Sequence, residues 1–440
     1  MQSVSVLPQP RIEGTAAVPG DKSITQRAII LGSLAKGHSR IRRYLPGEDC
    51  LHTADTFKRM GARVEEQGED LLIDGVGLNG LHEPEDVLYL GNSGTGMRLL
   101  LGVLAGQPFF SVVRGDKYLS RRPMDRVVAP LVRMGAQVWG RDGDHYPPLA
   151  IKGGNLQGID YDSPIASAQV KSCILLAGLF AEGRTTVCEP AKSRDHTERL
   201  LCHLGVDLQE DGLTVSLTAP PQSWPGFELT VPGDFSSAAY PLIAALILPD
   251  SRVTVRGVGV NRTRTGLLDV LREMGARIEV ENLHEVCGEP VGDLTASTSD
   301  LRGCTVGGEL IPRTIDDLLI LAVAAALANG ETVIRDAAEL RVKESDRLRS
   351  ITEGLTRLGA SVEEFQDGLR IQGPVSFKGT TCRSFGDHRI AMTLTIAALA
   401  AQGGSTIEDI GCVNTSFPGF FSLIQGLTGA ETFLFSGDQE

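Results

Sequence analysis

A chain of 440 residues holds two or three domains at ordinary domain sizes, and 42% hydrophobic with 22% charged residues excludes a disordered, collagenous or low-complexity protein. Lys and Arg number 42 against 55 Asp and Glu; the net charge of −13 argues against non-specific nucleic-acid or acidic-membrane binding, though not against a local cationic pocket. The eight cysteines form no CxxC pair and no zinc-spaced Cys/His cluster, so they read as reduced, mostly buried thiols. The longest apolar run, 318–328, falls short of the roughly 20 residues a bilayer requires, and the first residues lack the regions of a signal peptide. A soluble, cytoplasmic protein is expected.

In chain order, a strand pattern over 12–18 leads to a helix over 22–35 that is apolar nearly all round. A strand over 39–44, an amphipathic helix over 50–60 and a hairpin of 63–66 and 71–74 follow. This βαβαββ pattern then returns. Each amphipathic stretch closes on the same punctuation: Met60-Gly61-Ala62, Met134-Gly135-Ala136, Leu204-Gly205-Val206, Met274-Gly275-Ala276, Leu358-Gly359-Ala360 and Leu427-Thr428-Gly429-Ala430. Spacings of 74, 70, 70, 84 and 70 residues mark the glycines as helix C-caps ahead of strands. Small-residue helices running into β-branched strands interleave with them at 177–187, 324–334 and 397–407. The chain is therefore six units of about 73 residues. Pro19-Gly20-Asp21-Lys22-Ser23 reappears 213 residues later as Pro232-Gly233-Asp234-Phe235-Ser236, which divides the six into two halves of three. The expected fold is α/β, with a discontinuous domain of 1–20 and 236–440, a central domain of 21–235, and parallel buried helices in each.

The buried helices begin with unusual residues. They are Asp21-Lys22-Ser23, Asn92-Ser93-Gly94-Thr95, Ser167-Ala168-Gln169, Asp234-Phe235-Ser236, Asp316-Asp317 and Asp387-His388-Arg389. Capping accounts for the Ser, Asn and Asp residues. It does not account for Lys22, Arg27, Gln169, His388 or Arg389, since a cation in the first turn opposes the helix dipole. Parallel helices would bring their unpaired N–H groups and these cations to one side, as a small polyanion requires. Gly94 would let a ligand oxygen approach the backbone. A further basic run, Arg341 to Arg349, enters an amphipathic helix, with Lys343 and Arg347 expected on one face. Arg121-Arg122-Pro123 and Ser193-Arg194-Asp195-His196 hold the same place in their repeats.

These motifs, with Arg341-Val-Lys-Glu-Ser-Asp-Arg-Leu and Asp387-His-Arg-Ile-Ala-Met, resemble those of the 5-enolpyruvylshikimate-3-phosphate synthases over residues 10–430. The resemblance implies a two-domain inside-out α/β barrel. It also implies enolpyruvyl transfer from phosphoenolpyruvate to the 5-hydroxyl of shikimate 3-phosphate, with release of phosphate, in aromatic amino-acid biosynthesis. By the same resemblance Lys22, Ser23, Arg27, Ser167, Ala168, Gln169, Arg194, Asp316 and Lys343 hold shikimate 3-phosphate. Lys22, Gly94, Arg122, Gln169, Arg347 and Arg389 hold phosphoenolpyruvate. Asp316, Glu344 and Lys22 are implied for proton transfer, which needs positioned acid and base groups, while the cations neutralise phosphate and carboxylate. No metal or organic cofactor is implied, and a monomer is expected. Glyphosate, an anionic mimic of phosphoenolpyruvate, is an expected inhibitor, with room for it at Gly94. Two departures stand out: Ala168 replaces a common second serine, and Thr415 stands where many members have a lysine before Phe417-Pro418.

Two other readings fit the sequence less well. The sister enolpyruvyl transferase acting on UDP-N-acetylglucosamine uses a loop cysteine near its Arg-Pro motif, and 114–134 contains none. A repeat-built clamp around DNA would show a basic inner face, whereas these helix starts mix Asp316 and Glu344 with Lys343.

Overall fold

Helices without a polar face must be enclosed, and those read from the sequence are. The computed structural model describes residues 2–220, 222–429 and 431–437; Met1 and Ala430 of the sixth glycine motif lie outside them. Helix Leu318–Leu327 buries Leu318 through Ala326, and helix Phe235–Ile247 buries every residue but its last. Fully burying a leucine or isoleucine is worth about 1.5–3 kcal/mol, so these helices are held by packing rather than by propensity.

The chain divides into two compact units, Gly20–Pro232 with Glu285–Glu289, and Met1–Pro19 with Gly233–His284 and Pro290–Glu440. The expected cuts after 20 and 235 thus fall a residue or more later than the observed ones. Residues 285–289, placed by the sequence in the discontinuous half, cluster with the central one. Each unit has its own hydrophobic core. In the central unit helices Lys22–Leu34, Gly94–Ala105 and Ala168–Gly178 are buried. In the discontinuous unit they are Phe235–Ile247, Leu318–Leu327 and His388–Leu399.

Each unit also has three four-stranded sheets, all of one pattern: a parallel pair extended by two antiparallel strands. One expectation is corrected. The strand at 12–18, observed as Glu13–Ala16, does not pair with Lys36–Arg42. It lies parallel to Arg252–Gly259 in the discontinuous unit. Strand Glu228–Thr230 takes the place beside Lys36–Arg42. The chain passes from one unit to the other at Pro19–Gly20, so residues 12–74 are not one contiguous repeat. Strand Ser3–Val6 likewise completes the last repeat, between Ser405–Glu408 and Phe433–Ser436.

The six punctuating glycines all adopt the left-handed conformation expected of C-caps, with φ between 66° and 112°. All eight cysteines are free, yet only Cys50, Cys173 and Cys382 are fully buried, fewer than the sequence suggested. Among the described residues, no helix is long and apolar enough to cross a membrane.

Candidate active site

In the central unit the starts of the three buried helices are tied into one hydrogen-bonded network. Asp21 Oδ1 caps the first by accepting from Ile24 N at 2.9 Å, Ser93 Oγ the second from Gly96 N at 3.0 Å, and Ser167 Oγ the third from Val170 N at 3.5 Å. Gln26 Nε2 donates to Ser93 Oγ at 2.7 Å, joining the first to the second. Gln169 joins the second to the third: its Nε2 donates to Thr95 Oγ1 at 2.8 Å, and its Oε1 accepts from Arg98 Nη1 at 2.5 Å.

The cations stand in this frame. Lys22 Nζ lies 3.0 Å from Asp49 Oδ2. Arg27 is buried and donates to Thr197 Oγ1 (2.6 Å), Ser172 Oγ (2.8 Å) and the Ser23 carbonyl (2.9 Å). Burial lowers its pKa to about 10, against the pull of Glu198 and Asp21, and it stays charged at neutral pH. Arg194, half-buried ahead of helix His196–His203, repels Arg27, so the two cations share one neighbourhood. Ser23, Ser167, Ala168 and Gln169 are half-buried. Arg122 is buried beside Gly94: a Cβ at Gly94 would lie 2.6 Å from Arg122 Nη1 and 2.8 Å from its Cζ. The space at Gly94 is therefore bounded by a guanidinium.

In the discontinuous unit the pattern is richer in carboxylates. Asp387 caps its helix through Arg389 N (2.9 Å) and takes Arg347 through both oxygens, Nε to Oδ2 at 2.8 Å and Nη2 to Oδ1 at 3.3 Å. Arg347, 1% exposed, also lies 2.7 Å from Glu344 Oε2 and 3.7 Å from Asp316 Oδ1. The two carboxylates singled out for proton transfer therefore flank one guanidinium. Arg389 donates to the Asp316 carbonyl (2.8 Å) and Ser236 Oγ (2.9 Å). Burial works against charge on Arg347 and Arg389, but Asp387 with Glu344, and Asp316 with Asp317, push both well above the usual arginine value. Burial would likewise raise Asp387, and Arg347 overrides it, holding its pKa below the ordinary value.

Lys343 is corrected. The helix begins at Arg347, capped by Asp346, and Lys343 ends a preceding 3₁₀ turn in an extended conformation, so the two do not share a helix face. Its Nζ lies 3.4 Å from Glu339. Thr415, at the place of the missing lysine, donates to the Cys412 carbonyl and stands 3.4 Å from His388 Nδ1.

Sequence reasoning missed three participants. Arg264 lies 2.8 Å from Asp317 Oδ2 and contacts Ser236; it precedes an amphipathic helix, Gly266–Glu273, as Arg122 and Arg194 do, which was a readable signal. Arg98, a lone cation in an otherwise apolar helix, was also readable. Gln26 left no signal.

Six βαβαββ repeats around buried helices, with cations gathered at helix starts, define the enolpyruvyl transferase fold. The crystal structure of the enolpyruvyl transferase NikO from Streptomyces tendae matches it with a TM-score of 0.81 over 99% of both chains, at 20% identity, a likeness of fold alone. EPSP synthase from Acinetobacter baumannii matches more fully, with a TM-score of 0.88 and 43% identity over 99% of this chain and 100% of that one. The 3-phosphoshikimate 1-carboxyvinyltransferase of Geobacter sulfurreducens is 52% identical over 424 residues, 96% of this chain and 99% of its own. Residues 6–424 match the family described as EPSP synthase (3-phosphoshikimate 1-carboxyvinyltransferase), and the chain belongs to that family.

Proposed function

We infer that this chain transfers the enolpyruvyl group of phosphoenolpyruvate to the 5-hydroxyl of shikimate 3-phosphate and releases phosphate, a step of aromatic amino-acid biosynthesis. The observation that carries the reading is the pair Asp316 and Glu344 on the two terminal nitrogens of buried Arg347. Groups able to take and give a proton stand there beside a cation, as addition–elimination at an enol phosphate requires.

In this reading Arg27, Arg194, Lys22, Ser23, Ser167, Ala168, Gln169, Asp316 and Lys343 hold shikimate 3-phosphate. Lys22, Gly94, Arg122, Gln169, Arg347 and Arg389 hold phosphoenolpyruvate. The 5-hydroxyl oxygen attacks C2 of the enol while Asp316 takes its proton. The methylene carbon gains a proton from Glu344 or Lys22, forming a tetrahedral adduct. Loss of phosphate and of one methyl proton then regenerates the double bond. Arg347 presents Nη1 to an anion, because Asp387 takes its Nε and Nη2, Glu344 also takes Nη2, and Asp316 stands back from Nη1 at 3.7 Å.

Phosphate release from the two substrates tests the function, with UDP-N-acetylglucosamine as the competing acceptor. Turnover of the sugar nucleotide and none of shikimate 3-phosphate would reverse the assignment. The same reading makes the chain a cytoplasmic monomer, which size-exclusion chromatography with light scattering checks for the oligomeric state.

A further inference from the structure

The central unit contains a cluster of buried charges that the reaction does not use. Lys171, on helix Ala168–Gly178, is fully buried, and its Nζ stands 2.7 Å from Glu189 Oε2 and 2.7 Å from Glu198 Oε1. The two glutamate side chains are 1% and 0% exposed. Taking three ionised groups out of water costs several kcal/mol each, and well-packed apolar residues often serve stability as well or better. Residues 173–177 of the same helix are apolar. Core packing alone therefore gives no reason for a lysine here. Its connections do.

Glu189 follows strand Arg184–Cys188, and its second oxygen accepts the Ser193 hydroxyl at 2.5 Å. The Ser193 N–H also points to the Glu189 carboxylate, at 3.4 Å. The loop is thus drawn onto Lys171 one residue before Arg194. On the far side of Arg194, Glu198 neighbours Thr197, whose Oγ1 meets both Arg27 Nε (2.6 Å) and Ser172 Oγ (2.7 Å). His196 Nδ1, between them, lies 2.8 Å from Glu289 Oε1. Both flanks of Arg194 therefore return to the adjacent pair Lys171 and Ser172. The electrostatics agree: the positive Lys171 and Arg27 offset the negative Glu189 and Glu198, so the two carboxylates add no net negative field beneath an anion site.

We propose that Lys171 is a positioning residue for recognition of shikimate 3-phosphate. By holding Glu189 and Ser193 on one side, and Glu198 and Thr197 on the other, it fixes residues 193–197 so that Arg194 and Arg27 face the phosphate together. This rests on the reading that those arginines hold that substrate.

The test uses steady-state kinetics of the full chain with Arg194→Ala, Ser193→Ala and Lys171→Met, each checked for folding by circular dichroism. Arg194→Ala should raise the KM for shikimate 3-phosphate at least about tenfold, the loss of a charged hydrogen bond. Ser193→Ala, which leaves the buried ions in place, should raise it about threefold to tenfold, and Lys171→Met at least as much. In Ser193→Ala and Lys171→Met, kcat and the KM for phosphoenolpyruvate should stay within about twofold, a split that general loosening of the fold would not produce. If Arg194→Ala raises the KM while folded Ser193→Ala and Lys171→Met do not, the positioning role is overturned and the cluster is structural. If Arg194→Ala itself leaves the KM unchanged, the assignment of the arginines fails and takes the positioning role with it. Should Lys171→Met fail to fold, the Ser193→Ala result decides.

Discussion

Cations in the two units are held by different kinds of partner. In the central unit Arg27 rests on two hydroxyls and a carbonyl, and Arg98 on the Gln169 amide oxygen and the Pro123 carbonyl. In the discontinuous unit Arg264, Arg347 and Arg389 stand among Asp234, Asp316, Asp317, Glu344 and Asp387. A guanidinium on neutral acceptors keeps its field for an incoming anion. One surrounded by carboxylates spends much of that field on partners already in place. The first arrangement suits binding a phosphate ester and the second suits moving protons. Lys22, paired with Asp49, and Lys171, between Glu189 and Glu198, are exceptions in the central unit; Lys22 is also that unit's candidate for proton transfer.

The largest effect should come from the proton-transfer side. Asp316→Asn keeps size and hydrogen bonding but cannot take a proton. Turnover should fall by about 10²–10⁴, while calorimetric affinity for shikimate 3-phosphate stays within about tenfold. Near-normal turnover would reduce Asp316 to a positioning group and dissolve the contrast between the units.

Asp387→Asn should act next most strongly, through stability. It leaves Arg347 buried opposite a neutral amide, at a cost of about 3 kcal/mol in chemical denaturation. Because the Asp387 pKa lies below its ordinary value, its contribution is complete above the usual carboxylate range, near pH 4. It is lost as pH falls through the lowered folded-state value. The variant should therefore show a flatter acid limb, with the difference from wild type shrinking below about pH 4. An unchanged acid limb would mean that Arg347 does not depend on Asp387.

Arg27→Met should raise the KM for shikimate 3-phosphate roughly tenfold to a hundredfold, by losing a charge-assisted contact. Thr197 and Ser172 can still bond each other, so thermal unfolding should shift less than for Asp387→Asn. The reverse ranking would show Arg27 to be structural.

The smallest effect is expected at Gly94. An added methyl would meet the Arg122 guanidinium, which must shift, rather than simply enter open space. Gly94→Ala should weaken glyphosate more than it weakens phosphoenolpyruvate, with the KM for the latter rising only a few-fold. Equal inhibition of both proteins would show that Arg122 absorbs the methyl without consequence.

Much of the fold was legible in the sequence because its signals are local. A left-handed C-cap needs glycine wherever the helix ends, so six glycines at near-constant spacing announced six repeats. A helix apolar all round has nowhere to go but inside. The repeat even marked Arg264, since position within a repeat carries over to position within a unit. Lys343 was misread because helical periodicity was extended through Glu344 and Ser345, where the backbone is not yet helical; Asp346 caps the helix only at Arg347.

By itself, the sequence determined the number of repeats, the buried helices and the family, through short-range patterns in which each residue's neighbours along the chain set its conformation. Strand partnership was decided only by the tertiary structure. Glu13–Ala16 reads as the start of the repeat that follows it, yet pairs with Arg252–Gly259, because hydrogen-bond partners in a sheet are chosen by a chain path that no local pattern encodes. The same holds for Arg347 and Lys171. Nothing in the neighbouring sequence shows what balances either charge, and only residues up to 40 positions away, Asp387 for one and Glu189 and Glu198 for the other, make a buried charge tolerable there.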